Sequence, residues 1–233
     1  MGSASVANLA VDLGVTPSTI RRDLGELADR GEILRTYGGA ALARRPLGPV
    51  DVIAIDAKRQ IAEVVERELI RDGQTIIIGS GSTALELARR LPSRHLTVIT
   101  NALDVATTLV DQEGIELIVL GGVVRPQMHS MLGHLASLAS KELRADTLFM
   151  GIGAVHPDHG LMNDSVPEIL TDRALKAISD QVVVLADSTK LGQVAPAFVF
   201  TLDEVDILVT DAEAPASDIA AIEGHDVRVL VAR

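Results

Sequence analysis

The sequence predicts an α/β protein: a Rossmann-like, mostly parallel sheet with a small helical unit in front of it. From residue 56 onward, short Val- and Ile-rich runs alternate with stretches of helical periodicity, which is the order of repeated β-α units. These runs are apolar on both faces, as strands are when helices cover both sides of a parallel sheet. The segment RRPLGP at residues 44–49 interrupts both patterns, so we place a domain boundary there.

Residues before this boundary have the pattern of two helices and a hairpin. A first helix is predicted over residues 6–13, with Leu9 and Leu13 on its inner face. Gly14 provides a turn, and Thr16 and Pro17 suit the N-cap and first position of a second helix. That helix ends by Gly31, and residues 32–39 have the composition of a β-hairpin.

The second helix separates an apolar face from a polar one. Ile20, Leu24 and Leu27 recur at helical spacing and are expected to face inward. The hydroxyl and guanidinium groups near the start of the helix then face outward, where a recognition helix meets DNA; they belong to Ser18, Thr19, Arg21 and Arg22. A pair of arginines alone would more often be an ordinary solvated surface.

The rest of the chain is predicted as alternating strands and helices. The predicted helices cover residues 56–70, 83–91, 103–110 and 168–179. The predicted strands cover residues 75–78, 96–99, 115–120, 147–152, 182–186, 207–210 and 227–231. The charged residues 56–59 are expected to form a solvated helix start.

Composition excludes several classes of protein. The chain of 233 residues has no cysteine, which excludes disulfides, thiol catalysis and cysteine metal sites. It lacks an apolar run of about 20 residues and a signal-peptide pattern, so we expect a cytoplasmic protein with no membrane partner. The loop His156-Pro157-Asp158-His159 offers adjacent metal ligands, but such neighbours rarely close a tetrahedral site, and we expect no metal and no cofactor.

Charge is distributed unevenly along the chain. Residues 1–45 hold six arginines against five acidic residues, whereas residues 46–233 hold 15 basic and 27 acidic residues. A slightly basic head on a strongly acidic body fits a nucleic-acid-binding module joined to a domain with another task.

Glycine-rich loops follow several of the predicted strands. The sequence Gly79-Ser80-Gly81-Ser82-Thr83 stands between a strand and a helix start, where backbone N–H groups and hydroxyls can surround a phosphate. The loop lacks the Gly-Lys-Ser/Thr ending of a nucleotide-hydrolysing P-loop. Gly121-Gly122 follows another strand, and by itself such a pair is more often a structural turn.

The head resembles the winged helix-turn-helix of DeoR-family bacterial regulators. The resemblance runs from Leu9 to Ala40 and includes the string VTPSTIRRDLGELADRGEILRTYGGA. It implies contacts with operator DNA from the four polar residues of the second helix and from Arg35 in the wing. The family's module begins with a further helix upstream, so we expect residues 1–43 to lack the first helix of that head.

The body resembles the same family over almost its whole length. The matching strings are IIIGSGSTALELARRL, TVITNALDVATTL, IVLGGVVRPQMHSMLG, DTLFMGIGAV, VVVLADSTKLG and DILVTD. They imply an effector domain with the fold of ribose-5-phosphate isomerases and glucosamine-phosphate deaminases. The resemblance assigns phosphate contacts to residues 79–83, and sugar or loop contacts to Asn101, Gly121, Gly122, Arg125, Asp187 and Lys190.

Two departures from the family pattern bear on function. The related isomerases have an acidic Gly-Ala-Asp-Glu loop, whereas this chain has Gly151-Ile152-Gly153-Ala154-Val155. A proton-shuttling isomerase needs a carboxylate base facing the sugar, so its absence from this loop disfavours an enzyme. The helix before VVVLAD often carries a Lys-Arg pair in the family, and Asp172-Arg173 stands there instead.

The resemblance therefore implies a transcriptional regulator, a repressor of sugar-catabolism genes controlled by a phosphorylated sugar. We expect a head at residues 1–43, a linker at residues 44–50, and an effector and oligomerisation domain at residues 51–233. Operator recognition by such heads implies a homo-oligomer, a dimer or a tetramer. The alternatives are a sugar-phosphate isomerase or deaminase, and a ligand-binding protein that has lost DNA binding.

Overall fold

The computed structural model describes residues 3–29, 33–36, 39–42 and 54–233. The chain divides into two compact units, Met1–Leu47 and Gly48–Arg233. The linker expected at residues 44–50 lies outside the described residues, as do Gly31 and the side chains of Leu27 and Arg35. Within the described part of the chain, the structure contains no helix with the length and apolar character needed to cross a membrane.

The N-terminal unit combines two helices with a three-stranded antiparallel sheet. Its elements are β1 (Ser3–Ser5), α1 (Val6–Asp12), α2 (Pro17–Asp29), β2 (Ile33–Thr36) and β3 (Gly39–Leu42). β2 and β3 pair antiparallel, which confirms the predicted hairpin. β3 also pairs with β1, a strand of three residues that is too short for a period-two pattern to indicate.

The helices of this unit pack around a small apolar core. Val6, Ala10 and Ile20 are buried, and Leu9 and Leu24 pack against them. Thr16 caps α2 as expected, because its Oγ1 accepts a hydrogen bond from the Thr19 N–H at 3.3 Å. The prediction that Leu13 faces inward is wrong, since 65% of it is exposed. α1 ends at Asp12, so helical periodicity no longer sets the direction of the next side chain.

The C-terminal unit contains the seven predicted strands and the four predicted helices, together with elements that were not predicted. Its helices are α3 (Ile55–Glu68), α4 (Ser82–Ala88), α5 (Leu103–Leu109), α6 (His134–Ser140), α7 (Ile169–Lys176) and α8 (Ala216–Glu223). Its strands are β4 (Thr75–Ile78), β5 (Leu96–Thr100), β6 (Ile115–Val119), β7 (Val123–Arg125), β8 (Ser130–Leu132), β9 (Ala145–Gly151), β10 (Ala154–His156), β11 (Gly160–Asn163), β12 (Ser179–Leu185), β13 (Ala197–Phe200), β14 (Ile207–Asp211) and β15 (Arg228–Ala232).

Seven of these strands form one sheet in the order β15-β14-β12-β9-β4-β5-β6. Every neighbouring pair in this sheet is parallel, which confirms the predicted Rossmann-like α/β fold. The chain builds outward from β4 to β5 and β6, then returns to place β9 on the other side of β4. The direction of winding therefore reverses between β4 and β9, and a crevice opens at their carboxyl ends.

Apolar cores cover both faces of this sheet. In β4, Ile76 and Ile78 belong to one core and Ile77 to the other, and all three are fully buried. Because successive side chains of a strand point to opposite faces, a strand in this position must be apolar at every residue. Ile76–Ile78 satisfy that requirement, which agrees with the position of β4 in the interior of the sheet, between β9 and β5.

The structure differs from the sequence-based prediction around residues 166–179. A short 3-10 helix, Val166–Glu168, precedes α7, and α7 ends at Lys176. Ser179, predicted to end the helix, is instead the first residue of β12 and pairs with Ala145. The antiparallel pair β7-β8, the three-stranded sheet β10-β11-β13, and the helices α6 and α8 were not predicted. The strands of these two sheets are three or four residues long, so they carry little periodicity.

Candidate functional site

A cavity of about 430 Å³ opens at the carboxyl ends of β4, β9 and β12. Its wall includes residues at and just after the ends of these strands: 79–83, 151–153, Asp187 and Lys190. Further wall residues come from the segment 163–172, from Arg125 at the end of β7, and from Lys58 of α3. The cavity therefore lies where the winding of the sheet reverses, which is the usual ligand position in open α/β sheets.

All five residues of the Gly79–Thr83 loop line the cavity. The Gly79 N–H donates a hydrogen bond to the Phe149 carbonyl oxygen at 2.9 Å, which ties the start of the loop to β9. Gly81 has a φ of 116°, a conformation that side-chain-bearing residues rarely adopt. The loop turns sharply into α4 at Ser82 and leaves the Ser80 and Ser82 side chains partly exposed. Such a loop can bind an anion through N–H groups and hydroxyls.

Lys58 lies in the cavity wall with only 2% of its surface exposed. The expectation that residues 56–59 form a solvated helix start is therefore wrong for this residue, although Asp56 and Arg59 are exposed. Lys58 precedes Ile61 by three positions and Val65 by seven, so helical geometry places it on the buried face of α3. A buried cation in the wall favours an anionic ligand.

The loop after β12 brings Asp187 and Lys190 to the cavity. Asp187 is buried, and its carboxylate accepts hydrogen bonds from the Thr189 N–H at 3.2 Å and from the Thr189 hydroxyl. The Lys190 N–H donates to the Asp187 carbonyl oxygen at 2.9 Å, which closes a 3-10 turn and carries Lys190 to the wall.

Arg125 reaches the cavity from the β7-β8 hairpin and forms an ion pair there. Its Nη1 lies 2.8 Å from Oε1 of Glu168, which is only 8% exposed. The Ser130 hydroxyl donates to the same carboxylate oxygen at 3.2 Å. Sequence reasoning named Arg125 but not Glu168, because the two residues are 43 positions apart and no local pattern relates them.

Asp172 of α7 is a second cavity carboxyl group that sequence reasoning did not assign to the site. Its Oδ2 accepts a hydrogen bond from Nδ2 of Asn163 at 3.1 Å, and Oδ1 of Asn163 accepts one from the Gly153 N–H at 2.9 Å. Burial, and then the nearby Glu168 carboxylate, raise the pKa of Asp172 to about 7, although the Asn163 hydrogen bond acts in the opposite direction.

Carboxyl groups thus line the cavity even though the Gly151–Val155 loop has none. Two of them, Glu168 and Asp172, come from the 3-10 turn and α7, which lie well after that loop in the sequence. No three of the described His, Asp and Glu side chains are grouped so that they could hold a metal ion. The His156 and His159 rings instead pack against each other, with centroids 4.5 Å apart.

Three residues that the family resemblance named do not line the cavity: Asn101, Gly121 and Gly122. Asn101 is buried after β5, where its carbonyl oxygen accepts a hydrogen bond from the Met131 N–H at 2.7 Å. A Cβ added at Gly122 would come within 2.6 Å of the Leu132 carbonyl oxygen. Asn101 and Gly122 therefore support the β7-β8 hairpin, which carries Arg125.

The N-terminal unit displays four of the five residues predicted to contact DNA. Ser18, Thr19, Arg21 and Arg22 are all exposed at the start of α2. The Thr16 hydroxyl lies 2.7 Å from the Ser18 hydroxyl and 3.0 Å from that of Thr19, so the three form a hydroxyl cluster at the helix start. The fifth residue, Arg35, belongs to β2, and its side chain lies outside the described atoms.

Two family models match the chain. A DeoR C-terminal sensor domain matches residues 53–212, and a DeoR-like helix-turn-helix domain matches residues 1–45. Among curated relatives, the glycerol-3-phosphate regulon repressor of Escherichia coli K12 is 32% identical over 98% of this chain and 92% of its own. A putative aga operon transcriptional repressor of Escherichia coli O157:H7 is 30% identical, over 99% of this chain and 88% of its own.

Solved structures are similar to parts of this chain. Ribose 5-phosphate isomerase A of Methanocaldococcus jannaschii is 22% identical with a TM-score of 0.43, over 59% of this chain and 54% of the enzyme. The β subunit of translation initiation factor eIF2B from Chaetomium thermophilum is 20% identical with a TM-score of 0.47, over 66% of this chain and 50% of that subunit. This chain therefore spans about half the length of each of these proteins.

The positions of Gly121 and Gly122 give a test of their roles. We expect Gly122→Ala to lower the free energy of unfolding by about 1–3 kcal/mol, because its Cβ would press on the Leu132 backbone. Gly121→Ala is the matched control, since its Cβ would have no neighbour within 4 Å. Urea denaturation measures both variants. Equal stability of the two would contradict a structural role for Gly122.

The raised pKa of Asp172 predicts a pH dependence of stability. Between its ordinary value of 3.8 and about 7, the folded protein keeps a proton that the unfolded chain has released. Stability from this group is therefore present at low pH and lost as the pH rises through this window. Between pH 5 and pH 8, the free energy of unfolding of wild type should fall by about 1.4 kcal/mol or more relative to that of Asp172→Asn. Denaturation at the two pH values measures this difference. Parallel pH profiles for the two proteins would show that Asp172 titrates normally.

Proposed function

The chain belongs to the DeoR family, and we propose from this that it is a DNA-binding regulator that represses sugar-catabolism genes under the control of a phosphorylated sugar. The observation that carries the proposal is the cavity at the reversal of the sheet. The Gly79–Thr83 loop, Lys58 and Lys190 all line it. A glycine-hydroxyl loop and two lysines in one wall suit a phosphate, and the volume lies in the range of small-ligand pockets.

DNA binding belongs to the N-terminal unit in this proposal. The helix-turn-helix match, the exposed hydroxyls and arginines of α2, and the names of the regulatory relatives support it. The acidic excess of residues 46–233 disfavours direct contact between that part of the chain and DNA phosphates. Contacts with the operator are therefore assigned to Ser18, Thr19, Arg21, Arg22 and Arg35.

The effector controls the operator affinity through the oligomer. Paired helix-turn-helix heads reach two half-sites at a fixed spacing, so we propose a homo-oligomer held together by the C-terminal unit. A ligand can change the operator affinity only if it binds the DNA-competent arrangement and the alternative arrangement with different affinities. The sugar phosphate is proposed to favour the arrangement that binds DNA weakly.

Catalysis is not part of the proposed function. The curated relatives that match nearly the whole chain are named as repressors, and the family models describe a sensor domain and a DNA-binding domain. Glu168 and Asp172 do face the cavity, so an isomerase assay with ribose 5-phosphate and glucose 6-phosphate is the direct check. Turnover that Asp172→Asn abolishes would replace the regulator proposal with an enzymatic one.

Phosphorylated sugars are expected to stabilise the protein, whereas the same sugars without phosphate are not. A ligand at 100 times its dissociation constant adds about 2.7 kcal/mol to the free energy of unfolding, which thermal-shift measurements readily detect. Ser82→Glu should abolish the shift, because it places a carboxylate in the loop that receives the phosphate.

Ser217→Glu is the control for this experiment. It makes the same substitution in the first turn of α8, on an exposed residue outside the cavity wall. The proposal fails if free and phosphorylated sugars stabilise the wild type equally, or if the two serine variants respond alike.

Arg21→Ala and Arg22→Ala are each expected to weaken DNA binding by about 1–3 kcal/mol. Each guanidinium is exposed on α2, where it can contact a phosphate or a base edge. Titration of a duplex obtained by in vitro selection measures the loss, and removing a phosphate contact also lowers the salt dependence.

The double variant Arg144→Ala/Arg233→Ala provides the comparison. It removes two exposed arginines from the C-terminal unit and should leave DNA affinity unchanged. If removing both Arg21 and Arg22 has no larger effect than this control, α2 is not the recognition helix.

A further inference from the structure

The cavity wall combines an anion-binding loop with a group of carboxylates. Besides Lys58, Arg125 and Lys190, the described charged residues of the wall are Asp164, Glu168, Asp172 and Asp187. A ligand that places its phosphate on the Gly79–Thr83 loop has the rest of its atoms within the same 430 Å³ space. Its remaining groups therefore meet a surface with several carboxylates.

Most of these carboxylates already have partners. Arg125 compensates the charge of Glu168 at 2.8 Å, and the Ser130 hydroxyl donates to the same oxygen. Asp187 is occupied by the Thr189 N–H and hydroxyl. Asp164 is exposed to solvent, which screens its charge.

Asp172 differs from the other three. What distinguishes it is a second carboxylate nearby: its side chain accepts a hydrogen bond from the neutral amide of Asn163, and the charged group that acts on its pKa is Glu168. The Asn163 amide is held in turn by the Gly153 N–H, so the direction of this hydrogen bond is fixed. Asp172 therefore presents a carboxyl group whose charge is compensated less than that of Glu168.

We propose that Asp172 determines the class of effector: a sugar with a single phosphate that presents hydroxyl or ammonium groups to this carboxylate. This inference rests on the proposed function, because it assumes a phosphate on the Gly79–Thr83 loop. A hydroxyl or ammonium group donates to the Asp172 carboxylate and satisfies it. A second anionic group would meet Asp172 and Glu168 as like charges and would bring no donor to the Asp172 carboxylate, so such ligands are rejected.

Three commercially available probes test this selectivity with the phosphate held constant. Glucosamine 6-phosphate, glucose 6-phosphate and 6-phosphogluconate each carry phosphate on C6. They differ at the other end of the molecule, which bears an ammonium, only hydroxyls, or a carboxylate. Dissociation constants are measured by isothermal titration calorimetry at pH 7.5, for wild type and for Asp172→Asn.

Wild type is expected to bind the amino sugar most tightly and glucose 6-phosphate next, with 6-phosphogluconate at least tenfold weaker than either. Asp172→Asn keeps an acceptor for the Asn163 amide but loses the charge. It should therefore bind 6-phosphogluconate more tightly and the amino sugar more weakly than wild type does. The ratio of the affinity for the amino sugar to the affinity for 6-phosphogluconate should fall at least tenfold. Asp172→Ser removes the same charge with a smaller side chain and should shift the ratio in the same direction.

Asp180→Asn is the matched control, because it removes a carboxylate at an exposed position outside the cavity wall. Its affinity ratio should equal that of wild type. Binding of all three probes with a ratio that neither Asp172 variant changes would overturn this inference and leave the proposed function intact. If none of the probes binds wild type, the proposed function and this inference fail together.

Discussion

The reversal of strand order between β4 and β9 is the constraint on which the rest of the C-terminal unit depends. Both strands are parallel and buried; α4, which follows β4, packs in one core, whereas Ile152 and Val155, which follow β9, pack in the other. The Gly79–Thr83 loop turns sharply into α4, with Gly81 in a left-handed conformation. Its first residue remains hydrogen-bonded to β9 through the Phe149 carbonyl. The cavity exists because the two segments diverge from this shared starting point.

The electrostatic potential in the cavity depends on which charged side chains of its wall form ion pairs. Lys58 is buried on α3, and Arg125 is held by Glu168, so the two cations are fixed by different parts of the chain. The Arg125–Glu168 ion pair also joins the β7-β8 hairpin to the 3-10 turn before α7. Asp172 is the adjacent group without such compensation, which is why burial and Glu168 raise its pKa towards neutrality. One part of the cavity can therefore bind a phosphate while another part repels a second anionic group.

The two units differ in their cores and in their charge, and these differences suit different partners. In the N-terminal unit, a core that includes Val6, Ala10 and Ile20 supports a helix whose outer face carries hydroxyls and arginines. In the C-terminal unit, two extensive cores enclose a seven-stranded sheet, and the excess charge is acidic. The acidic excess of the C-terminal unit therefore leaves the attraction for a polyanion to the N-terminal unit.

The sequence by itself determined the alternation of strands and helices, the two-sided burial of β4, the capped helix α2 and the Gly79–Thr83 loop. Each of these depends on residues close together in the chain, so periodicity and turn chemistry are enough to predict it. Only the tertiary structure decided which distant residues share the cavity. It brought in Lys58, Glu168 and Asp172, and it assigned Asn101 and Gly122 to the support of a hairpin. These outcomes depend on strand order and on packing between elements, and a one-dimensional pattern contains neither.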